Sequence, residues 1–141
     1  MFLFLFWRDN QAMKSERYTE YNANPHGDRV GDCVIRAISK AENASWAETY
    51  TAICLKGLEL ANMPSADVVW SAYLVDKGYS RRLVNDHYLG KYTVSDFCRD
   101  NPVGVYILAL SGHVVCAIDG RFYDSWDSGN EEPIYYWTKE E

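Results

Sequence analysis

SGHVVCAIDGRFYDSW, residues 111–126 of the chain, has the pattern of a β-hairpin. Its Asp119-Gly120 pair separates two runs of strand-forming residues. A two-residue type I′ turn needs positive φ at both central positions, which Asp-Gly adopts more readily than most pairs. With the turn at these two residues, the register follows, and Val115 faces Asp124. The stretch therefore predicts two antiparallel strands around which the rest of the chain is organised.

One face of this predicted hairpin carries polar groups of a catalytic type. Because side chains alternate along a strand, His113 and Asp124 lie on the same face as diagonal neighbours, and Trp126 lies opposite His113. The other face carries apolar residues that we expect in the core: Val114, Cys116 and Ile118. An imidazole beside a carboxylate forms the base and the orienting acid of a nucleophilic triad. The hairpin therefore predicts a nucleophile elsewhere in the chain.

Composition limits the class of protein. A chain of 141 residues, 48% of them hydrophobic, suits one domain with a substantial core. The net charge of −6 argues against binding to a nucleic-acid backbone, because phosphate contacts need clustered Lys and Arg. We therefore expect no nucleic-acid partner.

The cysteines favour a reducing compartment. They stand at positions 33, 54, 98 and 116, with neither a Cys-x-x-Cys pair nor a zinc-like cluster with histidine. Their even number is compatible with two disulfides, but nothing marks the chain for export. We therefore expect reduced thiols, a cytoplasmic location, and no metal or organic cofactor.

Residues 1–16 are expected to be an N-terminal extension of uncertain status. The apolar run over residues 1–7 lacks the basic segment and the cleavage site of a signal peptide. It is also far shorter than the ~20 residues of a membrane-spanning helix. Met13 is a plausible alternative start of the protein. We expect residues 17–141 to form a single domain with no membrane partner.

Helical signals precede strand signals along the chain. The expected N-terminal elements are a strand over residues 17–21, a helix over 33–41 capped by Asp32, a helix opened by a Ser45–Glu48 capping box with buried positions 46, 50, 53, 57 and 60, and a helix capped by Ser65 and stopped at Gly78. The expected C-terminal elements are a helix opened by Thr93 and ended near 101–102, a strand over 105–110, the hairpin, and a strand over 134–137. Residues 81–91 give no clear signal. This order predicts an α+β fold in which helices pack on a small antiparallel sheet.

Cys33 is the candidate nucleophile. It falls in the first turn of a predicted helix, where unpaired N–H groups and the helix dipole favour a thiolate, and a nearby imidazolium would favour it further. Gly31 permits close approach of a substrate carbonyl, and the backbone N–H of Cys33 is a natural oxyanion donor. Arg36, one turn later, is expected to pair with a carboxylate.

Each member of this triad has a simpler interpretation. Cys33 could merely pack at the start of a helix, and His113 could be hydrogen-bonded to a loop without doing chemistry. Asp127 is the rival of Asp124, but strand alternation places it on the face away from His113. We therefore prefer Asp124.

The order of these motifs resembles that of the papain-like cysteine peptidase superfamily. A Gly-Asp-Cys enters an apolar helix, further helices follow, and then come Gly-His-Val-Val and a strand ending in an acid. The likeness is greatest to small bacterial and phage-encoded members, and the His-strand-Asp-Gly-strand-Asp layout is similar to that of the transglutaminase-like branch. The resemblance covers about residues 18–138. It implies that Cys33 is the nucleophile, His113 the base and Asp124 the orienting acid.

Two features depart from the family pattern. The glutamine that usually stands six residues before the cysteine and stabilises the oxyanion is here Gly27, so that role is unfilled or falls to Asn24 or Asn22. The aromatic residue that follows the cysteine in papain is also missing. Together with Asn24, we expect Asp32 and Trp126 to contribute oxyanion or substrate contacts.

The resemblance implies a small papain-like cysteine hydrolase or acyltransferase. Such an enzyme would cleave or transfer an amide, in a peptide or isopeptide bond, through a thioester on Cys33, with a peptide or protein as substrate. The alternative is a catalytically weak or inactive module that binds a protein partner. A peptidoglycan peptidase is a third possibility, which the lack of an export signal disfavours.

Overall fold

The computed structural model describes residues 15–84 and 90–139, which contain four helices and six strands in a mixed α+β arrangement. Along the chain they are β1 (Tyr18–Glu20), α1 (Cys33–Glu42), α2 (Trp46–Leu60), α3 (Asp67–Asp76), β2 (Tyr79–Leu83), α4 (Val94–Asp100), β3 (Val105–Leu110), β4 (His113–Ile118), β5 (Arg121–Asp124) and β6 (Tyr135–Lys139). The predicted α+β class is confirmed.

The six strands form one sheet in the order β1-β5-β4-β3-β6-β2. The sheet is mixed, because β1 pairs parallel to β5 whereas the other neighbours are antiparallel. The expectation of an antiparallel sheet is therefore wrong for β1. No hairpin turn links β1 to β5, so local turn chemistry does not set its direction. Strand β2 extends into the stretch that gave no clear signal. It is an edge strand whose last three residues are exposed, so its sequence there lacks the apolar alternation of a half-buried strand.

The hairpin has the predicted geometry. Asp119 and Gly120 have φ of 49° and 79°, as a type I′ turn requires. The pairs that follow are Ile118 with Arg121, Ala117 with Phe122 and Cys116 with Tyr123. The register argued from sequence is confirmed.

The central strands β3 and β4 are covered on both faces. One face packs under α1, α2 and α3, and its buried residues include Ile38, Ile53, Leu74, Ile107 and Cys116. The other face packs under α4, and its buried residues include Phe97, Cys98, Leu108, Val115 and Phe122. Alternate residues of β4 therefore belong to different clusters, as the period of a strand requires.

Three of the predicted helix starts are confirmed, and one of them is the start of α1 at Cys33. Ser45 and Glu48 form a reciprocal capping box at α2, and Thr93 and Asp96 form another at α4. The predicted cap of the third helix is wrong. The chain turns between Met63 and Ala66 before α3, which places Ala66 at the N-cap without a side-chain bond.

The predicted end of α3 is confirmed, whereas the predicted buried face of α2 is wrong in part. Gly78 follows the last residues of α3 with φ of 92°, as predicted for a helix stop. In α2, however, Tyr50 is 48% exposed and Leu60 is 42% exposed, so the predicted stripe is wrong at both positions. Thr49 is buried instead, because its Oγ1 accepts a hydrogen bond from Ser39 Oγ of α1 at 2.9 Å.

Most of the expected extension, residues 1–14, lies outside the described residues, as does His87. Ser15 is described, and its backbone N–H donates to Asp127 Oδ2 at 2.8 Å. Among residues 15–84 and 90–139, no helix has both the length and the apolar character needed to cross a bilayer.

Candidate functional site

Cys33 is the first residue of α1, and the residue before it does not cap the helix. Asp32 occupies the N-cap position but makes no side-chain hydrogen bond to the first turn. Its carboxylate instead accepts from Arg36 Nη1 at 2.9 Å and from Trp46 Nε1 at 2.8 Å. Since the first N–H groups of a helix lack intrahelical partners, the start of α1 keeps donors near the Cys33 sulfur.

His113 begins β4 and lies beside both other members of the predicted triad. Its Nε2 lies 2.6 Å from Asp124 Oδ2, and its ring lines the same cavity as Cys33. Because Nε2 is engaged by the carboxylate, Nδ1 is the ring nitrogen left for the thiol. The structure therefore brings together the three residues selected from the sequence.

Asp124 is held at the end of β5 by contacts on every side. Its side chain is 1% exposed, and it accepts from Ser125 N and Ser128 Oγ, both at 2.7 Å, and from Arg36 Nη2 at 3.4 Å. Its backbone carbonyl accepts from Tyr21 N at 2.7 Å, just after β1. The parallel strand β1 thus fixes the position of this carboxylate from outside the hairpin.

Asp127, the rival acid, faces elsewhere. Its two carboxylate oxygens accept from Ser15 N at 2.8 Å and from Gly129 N at 3.0 Å. These bonds tie the loop after β5 to the N-terminal segment. The preference for Asp124 as the partner of His113 agrees with this geometry.

Arg36 joins the two acids of the site. Its side chain is 7% exposed and forms ion pairs with Asp32 and Asp124. Its expected pairing with a carboxylate is confirmed, and a second carboxylate is added. Its Nε is buried without a hydrogen-bond partner among the described residues. Burying this cation between two anions limits the cost of removing all three charges from water.

The pKa values of the thiol and the imidazole shift toward an ion pair. Burial raises the pKa of the Cys33 thiol, but hydrogen bonds from His113 and from the backbone N–H of Val114, with the charges of His113 and Arg36, bring it below its ordinary value. Burial lowers the pKa of His113, but its bonds to Asp124 and Cys33 raise it to about 9. At neutral pH both shifts favour a thiolate beside an imidazolium.

A cavity of about 570 Å³ opens beside Cys33 and His113. Its walls come from the first turn of α1, from α2, from the start of α3, from the end of β3 and from the starts of β4 and β6. The aromatic side chains that line it are Trp46, Tyr50, Trp70 and Tyr135. A substrate group held there would lie next to the thiol.

Of the other residues predicted to contact the substrate or the oxyanion, only one lines the cavity. Asp32 lines the cavity, whereas Trp126 is not among the lining residues and packs on the His113 ring at 4.9 Å between centroids. Trp126 therefore covers the imidazole. The side-chain oxygen of Asn24 accepts from His26 N, and that of Asn22 accepts from Asn24 N. Neither asparagine lines the cavity.

Sequence reasoning missed several contacts of this site. The pairing of Asp32 with Arg36 could have been predicted, because residues four apart at the start of a helix are neighbours. Trp46 and Ser128 have no such signal, since they reach Asp32 and Asp124 only through the folded chain. Among the described residues, no three His, Cys, Asp or Glu side chains are grouped so that they could hold a metal ion.

This arrangement has the elements of nucleophilic chemistry. A thiolate can attack an electrophilic carbon, an imidazolium can protonate a leaving group, and a carboxylate can fix the imidazole tautomer. In comparisons with protein-family models, curated proteins and solved structures, nothing matches this chain.

Proposed function

We propose that the protein is a papain-like cysteine hydrolase or acyltransferase that acts on an amide bond through a thioester on Cys33. The observation that carries the proposal is that Cys33 and His113 line the same cavity, with His113 Nε2 2.6 Å from Asp124 Oδ2. The lowered thiol pKa and the adjoining cavity support it. The chain order, with the cysteine at a helix start and the histidine at a strand start, resembles that of papain-like enzymes and supports the proposal.

In the first half of the reaction, the Cys33 thiolate attacks the carbonyl carbon of the amide. The backbone N–H of Cys33 lies at the uncapped start of α1, where it can donate to the developing oxyanion. His113 then gives its Nδ1 proton to the departing amine as the C–N bond breaks. The products are a thioester on Cys33, a free amine and a neutral imidazole.

In the second half, the neutral His113 takes a proton from water or from an acceptor amine. That nucleophile attacks the thioester, the C–S bond breaks, and the thiolate and the imidazolium are restored. Asp124 contributes by holding Nε2, so that Nδ1 faces the reacting atoms in both halves. Water as the acceptor gives hydrolysis, and an amine gives transfer.

Acyl transfer to Cys33 can be tested with 4-nitrophenyl acetate, an activated ester that any acylating thiol enzyme can attack. We expect release of nitrophenol and one acetyl group on Cys33, located by peptide mass spectrometry. Decay of the acetyl group in buffer would indicate hydrolysis, and its capture by added glycinamide would indicate transfer. Cys54→Ala should still be acetylated on Cys33, whereas Cys33→Ala should lose that acetylation.

One observation favours the alternative of a binding module. Neither Asn22 nor Asn24 lines the cavity, so these residues supply no side-chain amide to the oxyanion. Acetylation of Cys33 no faster than that of the unfolded protein would contradict the enzyme proposal and favour a protein-binding role.

A further inference from the structure

We propose that the cavity beside Cys33 is a recognition pocket for a large aromatic or aliphatic group of the substrate, and that it rejects acidic groups. This inference rests on the proposed function, since it places the recognised group next to the scissile amide. It assigns a substrate class to the site, which the triad geometry alone leaves open.

The walls of the pocket are aromatic and held in place. The rings of Trp46 and Tyr50 stack at 4.8 Å with an angle of 12° between their planes. Each tryptophan is fixed at its polar end, because Trp46 Nε1 donates to Asp32 at 2.8 Å and Trp70 Nε1 donates to Asp67 at 3.1 Å. Rings whose N–H groups are already satisfied offer only apolar surface to a ligand.

The cavity is large enough to admit a bulky side chain. Its volume of about 570 Å³ falls in the range of pockets that enclose small ligands, and such pockets are mostly apolar with a few polar groups. Because burial of apolar surface is the main source of affinity in such a pocket, a ring or a branched alkyl group should bind better than a small group.

The charges around the pocket disfavour an acid. Around Cys33 the charges offset one another, because the cations of Arg36 and His113 pair with the carboxylates of Asp32 and Asp124. Asp67 places a second carboxylate in the wall, near the start of α3. An incoming carboxylate would meet this like charge in a largely apolar space, and the net charge of −6 adds to the repulsion.

The pocket can be tested with reagents that share one electrophile. Iodoacetamide, N-benzyliodoacetamide and N-(4-carboxybenzyl)iodoacetamide each alkylate a thiolate, forming a C–S bond and releasing iodide. Rates at Cys33 are measured by peptide mass spectrometry in the Cys54→Ala protein, because Cys54 also lines the cavity. Each rate is divided by that of the same reagent with glutathione.

We expect the normalised rate of the benzyl reagent to exceed that of iodoacetamide by about tenfold or more. The carboxybenzyl reagent should lose most of this gain, and Asp67→Asn should restore part of it. Cys54→Phe places a ring in the wall of the cavity without adding a thiol, so the ratio of the benzyl to the iodoacetamide rate should fall.

The outcomes separate the two proposals. If iodoacetamide labels Cys33 rapidly but the benzyl reagent gains nothing, the pocket proposal is wrong and the proposed function stands. If iodoacetamide labels Cys33 no faster than glutathione, the proposed function fails, whatever the ratio between reagents. A gain that persists unchanged in Cys54→Phe places recognition outside this cavity and also overturns the pocket.

Discussion

Cys33 and Cys98 are thiols on helices that cover opposite faces of the same sheet, and their pKa values shift in opposite directions. Burial raises the pKa of Cys98 to about 12. Burial acts on Cys33 in the same sense, but bonds to His113 and Val114 outweigh it. Cys33 begins α1, whereas Cys98 lies in the last turn of α4, where the helix dipole disfavours an anion. A helical position and burial therefore do not lower the pKa of a thiol by themselves, whereas an adjacent imidazole does.

The side chains around the two thiols also differ, being apolar around Cys98 and charged around Cys33. Cys98 belongs to a cluster of apolar side chains that includes Phe97, Val115 and Phe122. Cys33 lies at the edge of a buried set of charges formed by Asp32, Arg36 and Asp124 together with His113. We refer to these four residues as the charged network. The network holds His113 in place. Removing any one of its charges leaves a buried partner without full compensation.

The largest expected effect follows from removing the cation of the charged network. Arg36→Met leaves the buried carboxylate of Asp32 without its counterion and leaves Asp124 with His113 alone, so we expect a loss of about 3–5 kcal/mol in the free energy of unfolding. The matched control is Arg29→Met, which breaks an exposed pair with Glu20 at 3.9 Å and should cost about 0–1 kcal/mol. Urea denaturation measures both. Equal losses in the two variants would contradict the assignment of Arg36 as a buried bridge.

A smaller effect is expected from changing the acid beside His113. Asp124→Asn removes the charge that raises the pKa of His113, so we expect that pKa to fall by about one unit and Cys33 labelling at neutral pH to slow about tenfold. NMR titration of the imidazole and iodoacetamide labelling are the two measurements. Asp127→Asn, whose side chain bonds Ser15 and Gly129, should leave both unchanged. A silent Asp124→Asn with a damaging Asp127→Asn would reverse the assignment.

Local sequence signals predicted the parts of the site that depend on neighbouring residues. Asp119-Gly120 set the hairpin register and hence the approach of His113 to Asp124, and the start of α1 placed Cys33 correctly. Contacts between distant segments had no local signature. Arg36 reaches Asp124 across 88 positions, and β1 runs parallel to β5 because of tertiary packing.

Contacts between distant segments also explain why the structure changes two expectations, one about stability and one about the oxyanion. From the sequence alone, loss of the Asp124 carboxylate is expected to affect the reaction and not the fold. Because the structure buries it against Arg36 and Ser128, Asp124→Asn should also lower stability. The sequence offers Asn24 or Asn22 in place of the missing glutamine, but the side-chain oxygen of Asn24 accepts from His26 N within its own loop.

The pH dependence of Cys33 alkylation tests the central claim, that His113 activates this thiol. With the Cys33 pKa lowered and the His113 pKa raised to about 9, both shifts favour the thiolate beside the imidazolium. Labelling of Cys33 by iodoacetamide, resolved from Cys54 and Cys98 by mass spectrometry, should therefore have its midpoint below the ordinary thiol pKa of about 8.5. His113→Ala should move that midpoint upward, whereas His26→Ala should not. A wild-type midpoint at or above the ordinary value, unmoved by His113→Ala, would contradict the account.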